Sequence, residues 1–442
     1  MKGLIVMRWQ DEYKHKICTA DEAVKLVKSG DRVMPSHAAG EPKALMDALI
    51  RRAEELKNVE IWGGLNLSKG EYADPRYKDN LHINTTFASP GSRQAIWDER
   101  AFFSPIHFHK FPRLIRGGVI KCNGYFGHVS PPDKNGFVSF GVSVDIARAC
   151  LDSCDYSVAL VNEQMPRTPG DTLVHISKFD KIVECDEPLY VRAKVEADDP
   201  IMSQIGKNIA GLIEDGSCLQ MGQGKIPDAI LINLNDKKDL GIHTEVFSDN
   251  LIPLIEKGII TGARKTLDTR KIVATFIQGT KTLYDYVNNN LTLQMMPVDY
   301  TNNPCNIAQQ DRMVAINAAL EVDLTGQVAA ETMGHKQYSG IGGQLDFLRG
   351  AAASKGGKPI VTLPSTAKGG TISRISAVLK AGTAITTTRN DIHWVVTEHG
   401  AVNLVGRSIH ERAKLLISIA EPKFREQLER DFAESMKQHH AK

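Results

Sequence analysis

The sequence predicts an α/β protein of two similar open domains, each a mostly parallel sheet served by short helices. Three observations lead there. Helical and strand-like apolar segments alternate at short intervals, 442 residues exceed one ordinary core, and the same order of elements occurs twice. The polar stretch VEADDP at 195–200 is the natural linker, giving an N-terminal domain over 1–195 and a C-terminal domain over 196–442.

The first half opens at Thr19-Ala-Asp-Glu22, which has capping-box spacing, and Ala23, Val24, Leu26 and Val27 then give a helical apolar face. Gly30 stops that helix and 31–34 reads as a short buried strand. A small-residue loop, Ala38-Ala-Gly40-Glu-Pro42, leads to a helix over 43–56 and a strand over 59–62 that runs into Gly63-Gly64. Near residue 201 the order restarts: a helix over 205–213, a stop at Asp215-Gly216 and a strand over 217–221. The loop Gly222-Gln-Gly224-Lys-Ile-Pro227 follows, then a helix from Asp228 and a strand over 240–244.

A second pair of segments repeats as well. Asp133-Lys-Asn-Gly136-Phe-Val and Asp323-Leu-Thr-Gly326-Gln-Val both read as turn plus strand. Helices over 142–151 and 345–353 come next, then hydrophobic strands over 157–161 and 359–363. The repeated plan points to an internal duplication.

Composition excludes several classes. Lys plus Arg is 54 against 52 for Asp plus Glu, so there is no electrostatic case for nucleic acid or an anionic membrane. No apolar run reaches the ~18–20 residues of a membrane helix. The apolar patch at 3–7 is too short for a signal peptide, and seven scattered cysteines without C-x-x-C spacing suit reduced thiols in a cytoplasm. His107-Phe-His109 would put two imidazoles on one strand face, but no further ligand is evident and no metal is expected. The charged amphipathic helices over 410–419 and 423–437 read as packing or subunit-contact helices, with His439 and His440 as a frayed tail.

In open α/β sheets ligands gather beyond the carboxyl ends of strands, which directs attention to three loops of the second half. Gly222-Gln-Gly224 follows a strand and opens a helix, so its N–H groups would face an anion or oxyanion; it is neither a Walker loop nor G-x-G-x-x-G. Glu245, in Gly241-Ile-His243-Thr-Glu245, sits at a strand's carboxyl end where a carboxylate can act as nucleophile or base, and His243 either positions it or is a core histidine. The third is Gly340-Ile-Gly342-Gly343-Gln344, whose glycines admit close backbone approach and whose Gln344 offers a donor and an acceptor.

With these residues in hand, the sequence resembles the acetyl-CoA hydrolase/transferase family, nearest its 4-hydroxybutyrate and butyrate CoA-transferases. The resemblance runs almost the full chain: C-T-A-D-E-A-V-K at 18–25, K-G-E-Y at 69–72, V-S-P-P-D-x-N-G at 129–136 and G-D-T-x-V-H at 170–175. It continues with G-x-G-x-I-P-D at 222–228, G-I-H-T-E at 241–245, P-V-D-Y at 297–300, G-x-G-G-Q-x-D-F at 340–347, T-T-x-R-N-D at 386–391 and V-V-T-E-x-G at 395–400. Departures are Gln223 and Lys225 in the first loop, and His399 where the family commonly has Tyr.

The resemblance implies a CoA-transferase (NagB/RpiA-like) fold and a ping-pong transfer of CoA between short-chain acids through an acyl–glutamyl anhydride and a glutamyl-CoA thioester. Hydrolysis of acyl-CoA, or transfer to a small dicarboxylate such as itaconate or succinate, is the alternative. Glu245 matches the catalytic glutamate and Gly343 an oxyanion donor. Gln220, Met221, Gly222, Gln223 and Gly224 match the first CoA loop, Gly340, Gly342 and Gln344 the second, and Asn317 and Lys368 weaker CoA- or carboxylate-side positions. CoA enters as acyl-CoA substrate, with no permanently bound cofactor, and the resemblance implies a homodimer or tetramer.

Overall fold

Seven strands, all parallel, make the sheet of the first half in the computed structural model, which describes residues 8–192 and 199–437. They are β1 (Arg32–Pro35), β2 (Val59–Gly63), β3 (Leu81–Thr85), β4 (Phe102–Phe103), β5 (Gly124–Val129), β6 (Tyr156–Asn162) and β7 (Lys181–Cys185). Their order is β4-β3-β2-β1-β5-β6-β7. Every residue of β5 is buried, as expected when helices cover both faces of a parallel sheet. The helix Lys43–Arg51 lays Leu45, Met46, Ala48 and Leu49 on one face, into a core with Val33, Ile61 and Phe126. Each such fully buried leucine is worth roughly 2 kcal/mol of apolar transfer.

The second half repeats this plan. Its strands are β8 (Cys218–Met221), β9 (Gly241–Ile242), β10 (Met313–Ala318), β11 (Lys358–Thr362), β12 (Trp394–Thr397) and β13 (Gly400–Asn403), in the order β9-β8-β10-β11-β12-β13. Five run parallel, and β13 closes the edge as an antiparallel hairpin on β12. The shared core is plain: β2-β1-β5-β6-β7 in one half corresponds to β9-β8-β10-β11-β12 in the other. In both, the strand order reverses beside the first strand of the unit, between β1 and β5 and between β8 and β10.

The repeated turns match atom for atom. Asp133 Oδ1 accepts from the N–H groups of Asn135 (2.9 Å) and Phe137 (3.0 Å), and Asp323 Oδ1 from those of Thr325 (2.9 Å) and Gln327 (3.0 Å). Gly136 and Gly326 close the two turns at φ +85° and +98°, a region that disfavours a Cβ.

The division of the chain is less simple than a single cut at 195/196. Compact packing separates Met1–Ala193 with Val273–Tyr300 from Lys194–Ile272 with Thr301–Lys442. The segment 273–300, placed in the second domain by the sequence, therefore packs with the first. Gly170 bridges Met295, the Arg192 N–H donates to Gly279 O and the Tyr284 hydroxyl to Tyr190 O. Most of the linker at 195–200, the patch at 3–7 and His439 and His440 lie outside the described residues.

Local expectations hold with shifted ends. The Thr19–Glu22 capping box is formed. The helix after the first glycine loop starts at Lys225, not Asp228, because Gly224 at φ +124° is its N-cap. The helix expected over 142–151 is Ala147–Ser153, and the strand over 240–244 shortens to Gly241–Ile242. His107 and His109 are not on a strand; His107 caps and His109 lies within a 3₁₀ turn at Phe108–Lys110, with rings 6.1 Å apart. The C-terminal helices are Ile409–Ser418 and Pro422–Lys437, and all seven cysteines are free thiols. Among the described residues no helix is long and apolar enough to cross a membrane.

Candidate active site around Glu245

The second unit gathers its chemistry-bearing loops at the carboxyl end of its sheet. β9 ends at Ile242, and Glu245 projects three residues on, half-buried between the buried Thr244 and Val246. The Thr244 hydroxyl donates to Met221 O (3.0 Å), tying this turn to the end of β8.

Glu245 meets two groups from distant parts of the chain. Asn302 Nδ2 donates to Glu245 Oε2 at 2.6 Å. Gly343 lies against the same carboxylate, so closely that a methyl group there would overlap both Glu245 Oε2 and Asn302 Nδ2. Gly343 is also the N-cap of the helix Gln344–Ala353, so Glu245 stands at the positive end of a helix dipole, which favours negative charge.

The glycine loop is held from behind. Glu331 O accepts from the N–H groups of Tyr338 and Ser339, and its carboxylate accepts from Thr386 Oγ1 (3.2 Å) and Gln337 Nε2 (3.4 Å). Burial pushes the Glu331 carboxyl above its ordinary range. Gln344 is buried and its Nε2 donates to Thr387 Oγ1 (3.4 Å). Gly342 takes φ +50°, which a glycine adopts without strain.

The other predicted residues separate into two groups. Gln220 and Asn317 meet across the reversal point between β8 and β10, Asn317 Nδ2 donating to Gln220 Oε1 at 3.1 Å. Gly222 is exposed with open space where a Cβ would go, Gln223 and Gly224 are half-buried, and Met221 is buried. Lys368 is exposed at φ +49° in the turn between the short strands Thr366–Ala367 and Ile372–Ser373, with no hydrogen bond or ion pair to Glu245 or the glycine loops among the described residues.

His243 is a fully buried core histidine that also touches the site's supports. Its Nε2–H donates to Thr301 O (2.7 Å), one residue before Asn302, and its ring packs edge-on against Phe347 of the helix that Gly343 caps. Burial, reinforced by the Lys265 ammonium, lowers its pKa to about 3, so the ring is neutral. Asn302 itself was not singled out from the sequence. The only local signal is the helix-stopping Asn302-Asn303-Pro304 directly after the P-V-D-Y motif.

In the first unit, the corresponding reversal point is filled. His37 follows β1, its Nε2 accepts from the Gly64 N–H (2.9 Å), and its Nδ1–H donates to the buried Asp145 (3.1 Å). Among the described residues one group has metal-ligand geometry: His399 Nε2 lies 3.1 Å from Glu421 and 3.8 Å from Glu398. Its groups already pair with one another and with Ser365.

Known proteins are similar to this chain over nearly its whole length. The Acetyl-CoA hydrolase/transferase N-terminal domain matches residues 1–192 and the Acetyl-CoA hydrolase/transferase C-terminal domain residues 279–432. The chain is 44% identical over 426 residues to the 4-hydroxybutyrate coenzyme A transferase of Clostridium kluyveri, covering 96% of this chain and 99% of that one. It is 43% identical over 421 residues to the succinyl-CoA:cyclohexane-1-carboxylate CoA transferase of Geobacter metallireducens, 95% of each. Among solved structures, RipA from Yersinia pestis superposes with a TM-score of 0.92 at 38% identity, over 98% of this chain and 100% of that one. A 4-hydroxybutyrate CoA-transferase from Porphyromonas gingivalis does so at 0.83 and 41%, over 97% and 100%. With family matches in both halves and relatives this similar over nearly its whole length, the chain belongs to the acetyl-CoA hydrolase/transferase family.

Proposed function

We propose that this chain, a CoA-transferase by its family, moves CoA between a short-chain acyl-CoA and a free carboxylic acid of the 4-hydroxybutyrate, butyrate or acetate type, with Glu245 as the nucleophile. The observation that carries this is the Glu245 carboxylate held by Asn302 Nδ2 against Gly343 at a helix N-terminus. One carboxylate oxygen is fixed by an amide donor while the backbone beside it supplies N–H groups for an oxyanion.

The steps balance without water. A Glu245 oxygen attacks the thioester carbonyl, the C–S bond breaks, and CoA leaves as thiolate from an acyl–glutamyl anhydride. The thiolate attacks the glutamyl carbonyl, releasing the first acid as carboxylate and leaving a glutamyl-CoA thioester. An incoming carboxylate reverses both steps and departs as the new acyl-CoA. Each intermediate is itself an activated acyl species, first the anhydride and then the glutamyl thioester, which is why a covalent route conserves the thioester's energy.

In this scheme the Gly343 N–H donates to the tetrahedral oxyanions. The loop of Gln220, Met221, Gly222, Gln223 and Gly224, with Gly340, Gly342 and Gln344, receives CoA, whose remote binding energy orients the thioester. Asn317 holds Gln220 at the reversal point, and Lys368 is assigned to the CoA or carboxylate side.

Intact-protein mass after mixing with butyryl-CoA, without acceptor, tests the scheme. A covalent CoA adduct on the unaltered chain, absent from Glu245→Ala and discharged by acetate with acetyl-CoA appearing, is expected. Thioester loss without any acceptor would instead make the protein a hydrolase, and an adduct on Glu245→Ala would remove the nucleophile assignment.

A further inference from the structure

We propose that His243 and Lys265 are positioning residues for the reaction at Glu245, gripping from below the two backbone segments that present Glu245 and Asn302; this rests on Glu245 being the nucleophile. Neither side chain reaches Glu245 in the described contacts. Each instead holds a nearby carbonyl, His243 that of Thr301 beside Asn302 and Lys265 that of Ile242 three residues before Glu245.

Lys265 is a buried lysine whose ammonium donates to two carbonyl oxygens among the described residues, Ile242 O at 3.0 Å and Lys271 O at 2.7 Å, with Cys218 and Asp268 the ionisable groups nearby. Ile242 ends β9, three residues before Glu245, so the ammonium straps the nucleophile's strand to the loop at 271. Placing a lysine inside a core costs several kcal/mol unless its hydrogens are matched. Here two carbonyls from separate segments match them, so the charge is committed to tying those segments together.

His243 serves the other segment. A carbonyl oxygen only accepts, so the 2.7 Å contact to Thr301 O fixes the proton on Nε2. Nδ1 then accepts from Gln310 Nε2 (3.5 Å), and Gln310 is locked by Leu267, donating to its carbonyl (2.9 Å) and accepting from its N–H (3.2 Å). A second proton on the imidazole would aim Nδ1–H at an amide donor and set a cation beside Lys265. The Lys265 charge therefore keeps His243 in the one state that fits Thr301 and Gln310. Through Thr301 the ring sets Asn302, and through Phe347 it abuts the helix capped by Gly343. The segments that bring Asn302 and Gly343 to the reacting carboxylate thus both rest on one neutral ring, and the strand that carries Glu245 rests on the Lys265 strap.

Steady-state kinetics with butyryl-CoA and acetate, with mass detection of the CoA adduct, tests this on the full chain. His243→Leu is expected to lower kcat about 100-fold, the scale of a misplaced catalytic group, with KM for butyryl-CoA changed less than about threefold. His243→Gln, whose distal amide N–H overlies Nε2–H, should recover all but about fivefold of kcat, and Lys265→Met should lose about tenfold. A merely structural role would lower the melting temperature in all three without that split or that rescue.

Should His243→Leu not fold, nitrogen-15 imidazole spectra of the unaltered chain decide the matter. A neutral Nε2–H ring down to pH 5.5 supports the proposal, and an Nδ1–H tautomer, or titration near the ordinary histidine value of about 6.5, overturns it. A folded His243→Leu within about threefold of the original kcat also overturns it. If Glu245→Ala still forms the adduct, the nucleophile reading falls and takes this proposal with it; if it does not while His243→Leu keeps its kcat, positioning alone falls.

Discussion

Asn302 donates its amide to Glu245 Oε2 at 2.6 Å, while its own Oδ1 is buried and has no partner among the described residues. The amide is therefore committed to the carboxylate and not to folding the loop around it. Replacing it should cost one hydrogen bond to a charge, about 1.5–3 kcal/mol. We expect Asn302→Ala to lower kcat by roughly 10- to 150-fold with little change in melting temperature. Asn302→Asp should do more than weaken the reaction. It sets a second carboxylate beside the first, which raises the pKa of the pair and moves the acid limb of the kcat–pH profile upward. Profiles of the two variants measured side by side check both expectations.

Gly343 makes a different prediction, because its effect is steric. A methyl group there would overlap both Glu245 Oε2 and Asn302 Nδ2, so Gly343→Ala must push the carboxylate off its donor. The backbone itself is not strained at φ −94°, so the helix Gln344–Ala353 should still form. A folded variant whose adduct formation from butyryl-CoA is slowed at least about 100-fold is expected. Single-turnover mass detection, with circular dichroism as the folding control, measures it.

Both variants show what sequence could and could not give. Glu245 and Gly343 lie in motifs whose residue types announce chemistry, a carboxylate after a strand and a run of glycines before a helix. Asn302 sits in an ordinary helix-stopping Asn-Asn-Pro and acquires its role from a contact across 57 positions of sequence. The same limit explains why the packing of 273–300 is not visible in the sequence: its strands and helix read as generic α/β text, and only long-range pairing such as Gly170 with Met295 packs it with the first unit. The duplication was legible because turn chemistry is local. An Asp two and four residues ahead of the N–H groups it caps, with glycine between, has one favoured geometry wherever it occurs.

Stability should fall on acidification through two histidines. His128 and His243 are fully buried, and desolvation lowers their pKa values to about 4 and about 3. The unfolded chain, with ordinary imidazoles, binds more protons than the folded one below pH ~6.5, so stability rises with pH in that window. Each group contributes stability that is complete above pH ~6.5 and is lost as pH falls toward its folded value, at about 1.4 kcal/mol per pH unit. Between pH 6.5 and 5 we expect about 2 kcal/mol of loss per histidine. Urea unfolding at those two pH values measures it, and His128→Gln should flatten the slope by roughly one proton.

The last expectation concerns the twin turns, which share geometry but not burial. Asp323 is buried and accepts from four donors, the Thr325 and Gln327 N–H groups, Thr325 Oγ1 at 2.7 Å and Gln327 Nε2 at 2.6 Å. Asp133 is more open; it accepts the two N–H groups and a 2.8 Å ion pair from Arg167. Removing the carboxylate at 323 strands four half-buried donors that water replaces poorly, whereas at 133 the donors are exposed and water can replace it. Asp323→Ala should therefore destabilise by about 3 kcal/mol or more, and Asp133→Ala by about 1. Equal losses in chemical denaturation would mean that the backbone turn, and not burial of its cap, sets the energy.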